Sequence, residues 1–296
     1  MSWTFERLAG PLTLTEGPAW DGTGLFFTDI GKSLVRRYDP GTGRIDIWRD
    51  GTNAANGLMF DKTGQLFACE GLGRRVVRYD KRGVTTVIAD SLDGKRLNSP
   101  NDLAIDAQGR IWFTDPRYGD DRSNLELDHE SVLRATPPSS DDGSWTVERM
   151  TFDTTRPNGL LLSADGAWLY VAQSSYVPTE KRELCAYPIN ADGTVGTYKV
   201  LHDFGAARGI DGMCLDTDGN IVASYGWELS GPGGRICVFS PDGQVLEEHP
   251  LPAPVLRPTN CSFGGPNLTT LYVTDINGYL HRTETDRKGQ LWWPNQ

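Results

Sequence analysis

The sequence predicts an all-β fold, a six-bladed β-propeller whose blades are four-stranded antiparallel sheets. Three observations lead to this prediction: a pattern that recurs six times, short strands rich in β-branched and aromatic residues, and glycine-containing turns between them. Each repeat opens with an oxygen-bearing residue, and successive openings lie 40, 45, 57, 53 and 48 residues apart. The opening residues are Glu16, Asn56, Asn101, Asn158, Asp211 and Thr259.

The second repeat shows the four strands most plainly. Leu58 and Phe60 alternate with less apolar neighbours, and the turn at residues 61–64 ends in glycine. Three further apolar segments follow, and we predict that they form the second, third and outer strands of the blade. These segments are residues 66–70, 75–80 and 84–88.

The remaining repeats follow the same plan with different loop lengths. The turn that opens at Asp216 resembles the start of a calcium-binding loop, but four homologous turns and the lack of a terminal glutamate favour a hairpin. The insertions at residues 118–130 and 176–182 are expected to form loops. Residues 3–8 precede the first repeat and are expected to supply the outer strand of the last blade, which would remove its free edge.

Composition limits the kinds of protein that this chain can be. No linker divides the repeats, so we expect one domain over residues 1–296. The net charge of −10 argues against nucleic-acid and anionic-membrane partners, and no apolar run could span a bilayer. Five cysteines without metal-binding spacing, and no signal-peptide pattern, predict reduced thiols and a cytoplasmic location.

Equivalent positions of propeller blades converge on one axis, so the six opening residues should form a ring of oxygen atoms. Carboxylate and amide oxygens are the ligands that a hard divalent cation prefers. The best candidates are Glu16, Asn158 and Asp211, with Asn101 completing the set. We expect one Ca²⁺ ion, with Zn²⁺, Mg²⁺ and Mn²⁺ as alternatives. Turn formation explains Asn56 equally well, and Thr259 is a poorer ligand.

The second strand of each blade should end beside this ring, because the two strands of a hairpin share an edge. Four of the six residues at these ends are acids, which suggests closely packed carboxylates that repel one another unless a cation is bound. The six residues are Asp29, Glu70, Asp115, Gln173, Ser224 and Asp275.

A small-molecule substrate could be bound by polar residues near the mouth of the channel. Arg117 and Tyr118 follow the third-repeat strand, and His129 ends the long loop of that repeat. Asp102 directly follows Asn101, and it could support the site or bond its own strand start.

At these positions the chain resembles the SMP-30/gluconolactonase family of six-bladed propellers. The resemblance covers nearly the whole chain and rests on the order and spacing of four motifs. They are residues 16–18, residues 98–102 followed by 112–116, residues 156–160, and residues 209–213. The form at residues 99–102 is similar to the bacterial gluconolactonase branch, since the animal branch carries arginine where this chain has Ser99.

The resemblance implies a divalent metal held by Glu16, Asn158 and Asp211, with Asn101 contacting metal or substrate. It also implies hydrolysis of a sugar lactone to its hydroxy acid. We expect Asp211 to be the catalytic residue, acting as a general base or as a nucleophile. A phosphotriesterase-like activity at the same metal, or a non-catalytic propeller that binds a small molecule, are the alternatives.

Overall fold

Six strands surround a central axis, and each packs against the innermost strand of the next sheet until the ring closes. The structure is a computed structural model, and it describes residues 2–118, 121–140, 143–177, 179–227, 230–253 and 257–291. Each of the six sheets has four antiparallel strands, so the predicted six-bladed propeller is confirmed.

Within each blade, strand order follows chain order from the axis outward, except in the last. Blades 1 and 2 contain β2 (Thr15–Trp20), β3 (Leu25–Asp29), β4 (Leu34–Asp39) and β5 (Arg44–Arg49), then β6 (Ala55–Phe60), β7 (Leu66–Glu70), β8 (Arg75–Tyr79) and β9 (Thr85–Ala89). Blades 3 and 4 contain β12 (Leu103–Ile105), β13 (Ile111–Asp115), β14 (Ser131–Thr136) and β15 (Thr146–Arg149), then β16 (Pro157–Leu162), β17 (Trp168–Ser174), β18 (Arg182–Pro188) and β19 (Lys199–Asp203).

Blade 6 joins both ends of the described chain. The N-terminal strand pairs antiparallel with the third strand of that blade, with Glu6 opposite Arg282 and Arg7 opposite His281. The predicted closure is therefore confirmed, and the ring has no free edge at this point. Blades 5 and 6 contain β20 (Ile210–Leu215), β21 (Ile221–Trp227), β22 (Ser230–Phe239) and β23 (Val245–Pro250), then β24 (Pro258–Gly264), β25 (Thr270–Asp275), β26 (Leu280–Glu284) and β1 (Glu6–Ala9).

Two small elements lie between the blades. They are a hairpin formed by β10 (Ser91–Leu92) and β11 (Lys95–Arg96), and a 3₁₀-helix at Ile30–Lys32.

The core lies between adjacent sheets, where large side chains from the first and second strands pack together. Trp112, Phe27 and Phe263 are fully buried there. Burying an aromatic side chain of this size contributes about 2 to 3 kcal/mol relative to exposure. The packing between blades therefore fixes the angle at which each innermost strand approaches the axis.

The hairpin turns use the chemistry that the sequence predicts. Asp21 and Asp61 each accept a backbone N–H from the residue two positions later, at 2.8 and 2.9 Å. Asp216 does the same with Asp218 at 3.0 Å, and its other oxygen lies 2.6 Å from Arg287 Nη1. These contacts make the Asp216 turn a hairpin and leave no calcium loop there.

All five cysteines are buried and unpaired. The closest pair is Cys214 and Cys261 on the innermost strands of blades 5 and 6, with their sulfur atoms 3.7 Å apart. Within the described ranges, the structure contains no helix of the length and hydropathy that crossing a membrane requires.

A candidate metal centre in the central channel

The predicted ring residues lie where the innermost strands begin, and their backbone is tied to neighbouring blades. The Thr114 hydroxyl donates to the Asn158 carbonyl at 2.7 Å, and the Thr28 hydroxyl donates to the Asn56 carbonyl at 3.1 Å. In blade 6 the Thr259 hydroxyl donates to the Thr15 carbonyl at 2.7 Å. Thr259 is thus a structural link between blades, as its poor ligand chemistry indicated.

Convergence on the axis requires glycine after the ring residue in four blades. A Cβ atom on Gly17 would lie 2.2 Å from the Asn56 carbonyl oxygen, and one on Gly159 would lie 2.5 Å from that of Asp211. Such distances are shorter than any van der Waals contact, so only glycine lets the strands meet this closely. Gly57 and Gly212 are equally crowded, but by the side chains of Asp102 and Asn260.

Asp102 and Asn260 replace glycine in blades 3 and 6, which lie opposite each other in the ring. The Asn260 side-chain amide donates to Asp102 Oδ2 at 3.3 Å, so the two residues form a bridge across the channel. Each also accepts the N–H of the next residue in its own strand, at 2.9 and 2.8 Å. Asp102 therefore makes the strand-start bond and also supports the site. Asn260 was not foreseen from the sequence.

Beyond this bridge the channel becomes apolar. A cavity of about 140 Å³ lies there, and the bridge itself forms part of its wall together with Leu58, Met213 and Cys214. Asp102 is the one charged residue among the described residues that line this cavity, so the carboxylates are grouped at the end of the channel where the innermost strands begin.

Three buried carboxylates, Glu16, Asp102 and Asp211, come together at the polar end. Burial raises the pKa of Glu16 well above its usual value, and the charges of Asp211 and Asp102 raise it further. The Gly17 N–H donates to Glu16 Oε2 at 2.8 Å and offsets part of this rise. Burial likewise raises the pKa of Asp102 to about 7. The local electrostatics therefore favour an additional positive charge.

One protein cation already contacts this group. Arg208 is buried, and its Nη1 lies 2.9 Å from Asp211 Oδ2. This ion pair compensates only one of the three carboxylates. Sequence reasoning missed Arg208, although an arginine three residues before a ring carboxylate was a visible signal.

The donor set fits a hard divalent cation. Glu16 and Asp211 offer carboxylate oxygens, and the buried Asn101 and Asn158 offer amide oxygens. Within the described part of the chain, neither of these two amide side chains bonds another protein group. Among the same residues no three His, Cys, Asp or Glu side chains are grouped closely enough to hold a metal ion by themselves, so a site here would also draw on other oxygen donors such as these amides. Oxygen donors of this kind suit Ca²⁺ better than Zn²⁺.

The surplus of uncompensated acids predicted at the ends of the second strands is wrong. Asp29 lies 2.7 Å from Arg36, Glu70 lies 2.6 Å from Arg75, and Asp275 lies 3.1 Å from His281. Asp29 and Glu70 are paired with arginines, and Asp275 bonds a histidine, on the neighbouring strand of the same blade, so these carboxylates are already engaged.

Asp115 has no such ion pair with any residue in the described ranges, and it serves to anchor a loop. It accepts the backbone N–H groups of Asn98 and Ser99, both at 2.8 Å. Gln173 accepts the Thr155 N–H in the same way at 2.8 Å. These side chains hold the segment that leads into the ring. Burial raises the pKa of Asp115 to about 7.

The assignment of Ser224 to this set is also wrong by one residue. Ile210 pairs with Tyr225, just as Pro157 pairs with Gln173, so Tyr225 holds the equivalent position in blade 5. The error arose because the strand in blade 5 continues past the point where the others end.

Of the predicted substrate-binding residues, Tyr118 lies within the electrostatic reach of Asp211. Burial raises the pKa of its hydroxyl, and the Asp211 charge raises it further. The Tyr118 hydroxyl is buried and has no hydrogen-bond partner among the described residues. It is therefore available to a bound molecule.

Arg117 and His129 lie in the loop of blade 3, and the described contacts do not bring their side chains to the ring. The Arg117 guanidinium bonds the Asn124 side chain within that loop. The pKa of His129 is lowered by burial and by the charge of Arg149, which lies on the outermost strand of blade 3. A role for these two residues in substrate binding stays a prediction.

A family model described as SMP-30/Gluconolactonase/LRE-like region matches residues 14–277. The chain belongs to this family. The resemblance drawn from the four motifs is thereby confirmed.

Its relatives include proteins named as lactonases. A gluconolactonase of Zymomonas mobilis is 29% identical, covering 96% of this chain and 83% of its own. A 6-deoxy-6-sulfogluconolactonase of Pseudomonas putida is 31% identical over 89% of this chain and 84% of its own. The solved structure of XC5397, a gluconolactonase of Xanthomonas campestris, superposes with a TM-score of 0.80 at 33% identity, covering 95% and 89% of the two chains.

Proposed function

We propose that this protein is a metal-dependent hydrolase that opens a sugar lactone to its hydroxy acid. The observation that carries the proposal is the buried meeting of Glu16 with Asp211 beside two unengaged amides. The names of its family relatives support a lactone as the substrate. A cytoplasmic location stays a prediction, in keeping with five unpaired cysteines.

The ion would be held by Glu16, Asn158, Asp211 and Asn101, and Ca²⁺ is the ion that these oxygens suit best. When bound, it would polarise the lactone carbonyl and stabilise negative charge on the carbonyl oxygen by several kcal/mol. The Asp102–Asn260 bridge crosses the channel beside these residues and would limit the depth that a substrate can reach.

Asp211 is the residue that we place in the reaction. Arg208 holds its Oδ2 at 2.9 Å, which orients the carboxylate and leaves Oδ1 for chemistry. As a general base, Oδ1 takes a proton from the water that attacks the carbonyl carbon. The C–O bond of the lactone ring then breaks, and the proton passes to the departing lactone oxygen, which becomes a hydroxyl group. Direct attack by Oδ1 as a nucleophile is the alternative route.

Tyr118 would orient the lactone. Its hydroxyl, in the loop that follows β13, has no hydrogen-bond partner among the described residues and lies within the electrostatic reach of Asp211. A hydrogen bond to a substrate oxygen would satisfy this buried group, and it would hold the reacting carbonyl in place.

The proposal is tested with Asp211→Asn, which keeps an oxygen ligand but cannot accept the proton. We expect a loss of about 10²- to 10⁴-fold in kcat, typical for a missing general base, with metal still bound. Lactone hydrolysis and metal content are measured on the same preparations, and Asp46→Asn, an exposed carboxylate on blade 1, is the control. Hydrolysis close to wild type in Asp211→Asn contradicts both roles of Asp211.

The same assay separates the alternatives. Turnover of an organophosphate triester with no turnover of a sugar-lactone panel would replace the lactonase by a phosphotriesterase-like enzyme. A fall in melting temperature on adding chelator, with no hydrolysis of either class, would leave a metal-stabilised binding protein.

A further inference from the structure

Three successive blades each place one aromatic side chain on the rim of the polar end. Tyr118, Tyr176 and Trp227 come from the second strands of blades 3, 4 and 5 or from the loops that follow them. Their rings meet edge to face, with centroids 5.7 Å apart for the tyrosine pair and 5.8 Å apart for Tyr176 and Trp227. They form a continuous aromatic wall above the ring carboxylates.

Three arginines are interleaved with this wall. Arg156 lies over the Tyr118 ring at 5.7 Å, and Arg208 lies over the Tyr176 ring at 4.9 Å. Arg257 lies over both Tyr176 and Trp227, at 5.5 and 5.7 Å. Arg156 and Arg257 each stand two residues before the ring residue of their blade. We call the six residues the rim cluster: Tyr118, Tyr176, Trp227, Arg156, Arg208 and Arg257.

The three arginines differ in how their charge is balanced. Arg208 is paired with Asp211, and Arg156 lies 3.8 Å from both Glu130 and Glu180. Arg257 donates to the Tyr176 hydroxyl at 3.3 Å and has no carboxylate partner within the described ranges. Its Nε is buried without a hydrogen bond to any of those residues. The protein carries a net charge of −10, yet none of its described carboxylates is paired with Arg257 at the rim.

Arg257 uses one N–H group on the Tyr176 hydroxyl, and its Nη2 has no partner among the described residues. A guanidinium with N–H groups to spare can bind carboxylate, sulfonate or phosphate through charge-assisted hydrogen bonds. The stacked rings exclude water and so strengthen the attraction. Tyr176 links Arg257 to Arg208 and thereby to Asp211, so an anion at Arg257 would sit beyond the reacting carbonyl, on another part of the same molecule.

We infer that the rim cluster selects lactones that carry an anionic substituent, and that Arg257 binds this anion. The inference rests on the proposed lactonase function and deepens it by naming the substrate class. It makes Arg257 a specificity-determining residue, separate from the groups that act on the carbonyl.

The test compares matched lactones under slightly acidic conditions, where spontaneous hydrolysis is slow. Glucono-1,5-lactone is the neutral substrate; 6-phosphoglucono-1,5-lactone and glucaro-1,4-lactone carry a phosphate and a carboxylate. We expect kcat/KM to favour an anionic lactone by at least tenfold, and the two anions distinguish which group fits better. Arg257→Gln should lower kcat/KM for the preferred anion by about 10- to 100-fold, as for one charge-assisted hydrogen-bond pair, and change the neutral lactone less than twofold.

Two further variants keep the test decisive. Arg82→Gln removes an exposed arginine on blade 2 and should change neither substrate. Arg257→Lys keeps the charge without the planar edge, so its preference should fall between those of wild type and Arg257→Gln. If Arg257→Gln does not fold, the inference is tested with Arg257→Lys and with wild type at high salt. Both should show a weaker preference for the anionic lactone than wild type at low salt.

The outcomes separate this inference from the lactonase proposal. Equal turnover of neutral and anionic lactones, or equal losses on both in Arg257→Gln, overturns the inference and leaves the lactonase intact. If no lactone is hydrolysed, the lactonase proposal fails, and calorimetry with 6-phosphogluconate and gluconate decides on the anion site. The anion site is supported if wild type binds 6-phosphogluconate more tightly than gluconate and Arg257→Gln loses this difference. Equal binding of the two compounds by wild type overturns it.

Discussion

Replacing Gly212 by alanine adds only one methyl group, but it should strongly disturb the centre of the propeller. The added Cβ would lie 2.1 Å from Asn260 Cγ and 2.2 Å from Asn260 Oδ1. Gly212 does not have the left-handed backbone that favours glycine, so the effect comes from the steric clash alone. Asn260 must move, and its hydrogen bond to Asp102 is lost as it does so.

The expected loss of stability follows from these two effects. Overpacking a well-packed interior costs about 1 to 3 kcal/mol. Leaving a buried polar group without its hydrogen bond costs about 1 to 3 kcal/mol. The two overlap because one movement causes both, so we expect about 3 kcal/mol in total. For a chain of this size that corresponds to a fall of roughly 6 °C in Tm.

The assay is thermal and denaturant unfolding of Gly212→Ala beside Gly41→Ala. Gly41 is exposed, its added Cβ would meet only Asp39 Oδ1 at 3.3 Å, and it should lose less than about 0.5 kcal/mol. Asn260→Ala removes the side-chain atoms that cause the clash. The double variant should therefore be more stable than the sum of the two single losses predicts, by at least about 1 kcal/mol. Strictly additive losses would refute the close approach of blades 5 and 6.

Two further predictions concern the anchoring residues. The pKa of Asp115 is raised by burial to about 7, so the folded protein binds more protons than the unfolded chain between about pH 4 and 7. The contribution of Asp115 to stability should therefore fall as pH rises through 7. The free energy of unfolding, measured with urea, should decrease more between pH 5.5 and pH 8 for wild type than for Asp115→Asn. Equal decreases in the two proteins would contradict this. Arg36→Met leaves the buried Asp29 without its 2.7 Å partner, and it should lower the free energy of unfolding by about 3 kcal/mol in the same assay. Arg44→Met, at an exposed pair, is the control and should lower it by less than about 0.5 kcal/mol. Similar losses in the two variants would contradict the role of the buried pair.

The fold could be predicted because each of its elements leaves a local sequence signal. Alternation along β6, the glycine turns and the spacing of the ring residues all report contacts within one repeat. The closing strand β1 was predictable for a different reason, since a ring with one blade short of a strand would expose an edge.

The bridge was harder to predict because its partners are far apart in sequence. Asp102 and Asn260 are separated by 158 residues and meet only because blades 3 and 6 face each other. A signal was present: in four of the six repeats glycine follows the opening residue, and in the other two its place is taken by Asp102 and Asn260. Where most repeats have glycine at a crowded position, a larger residue in one repeat indicates a side chain that fills the space left by the glycines of the others.

The surplus of acids was a wrong prediction because it considered one strand at a time. The partners of Asp29 and Glu70 are arginines on the adjacent strand, five to seven residues later in the sequence. The rim cluster did leave a local signal, since Tyr118, Tyr176 and Trp227 each stand three residues after Asp115, Gln173 and Ser224. The contacts among the three rings join different blades, and no pattern within a single repeat reports them.

The claim that a cation at the ring supports lactone hydrolysis is tested most directly by one titration. The protein is stripped with chelator, and glucono-1,5-lactone and 6-phosphoglucono-1,5-lactone hydrolysis are followed as Ca²⁺ is added back, with bound calcium measured in parallel. We predict no turnover without metal and full recovery at one ion per chain, with Glu16→Gln binding calcium much more weakly. Undiminished hydrolysis by the metal-free protein would contradict the account.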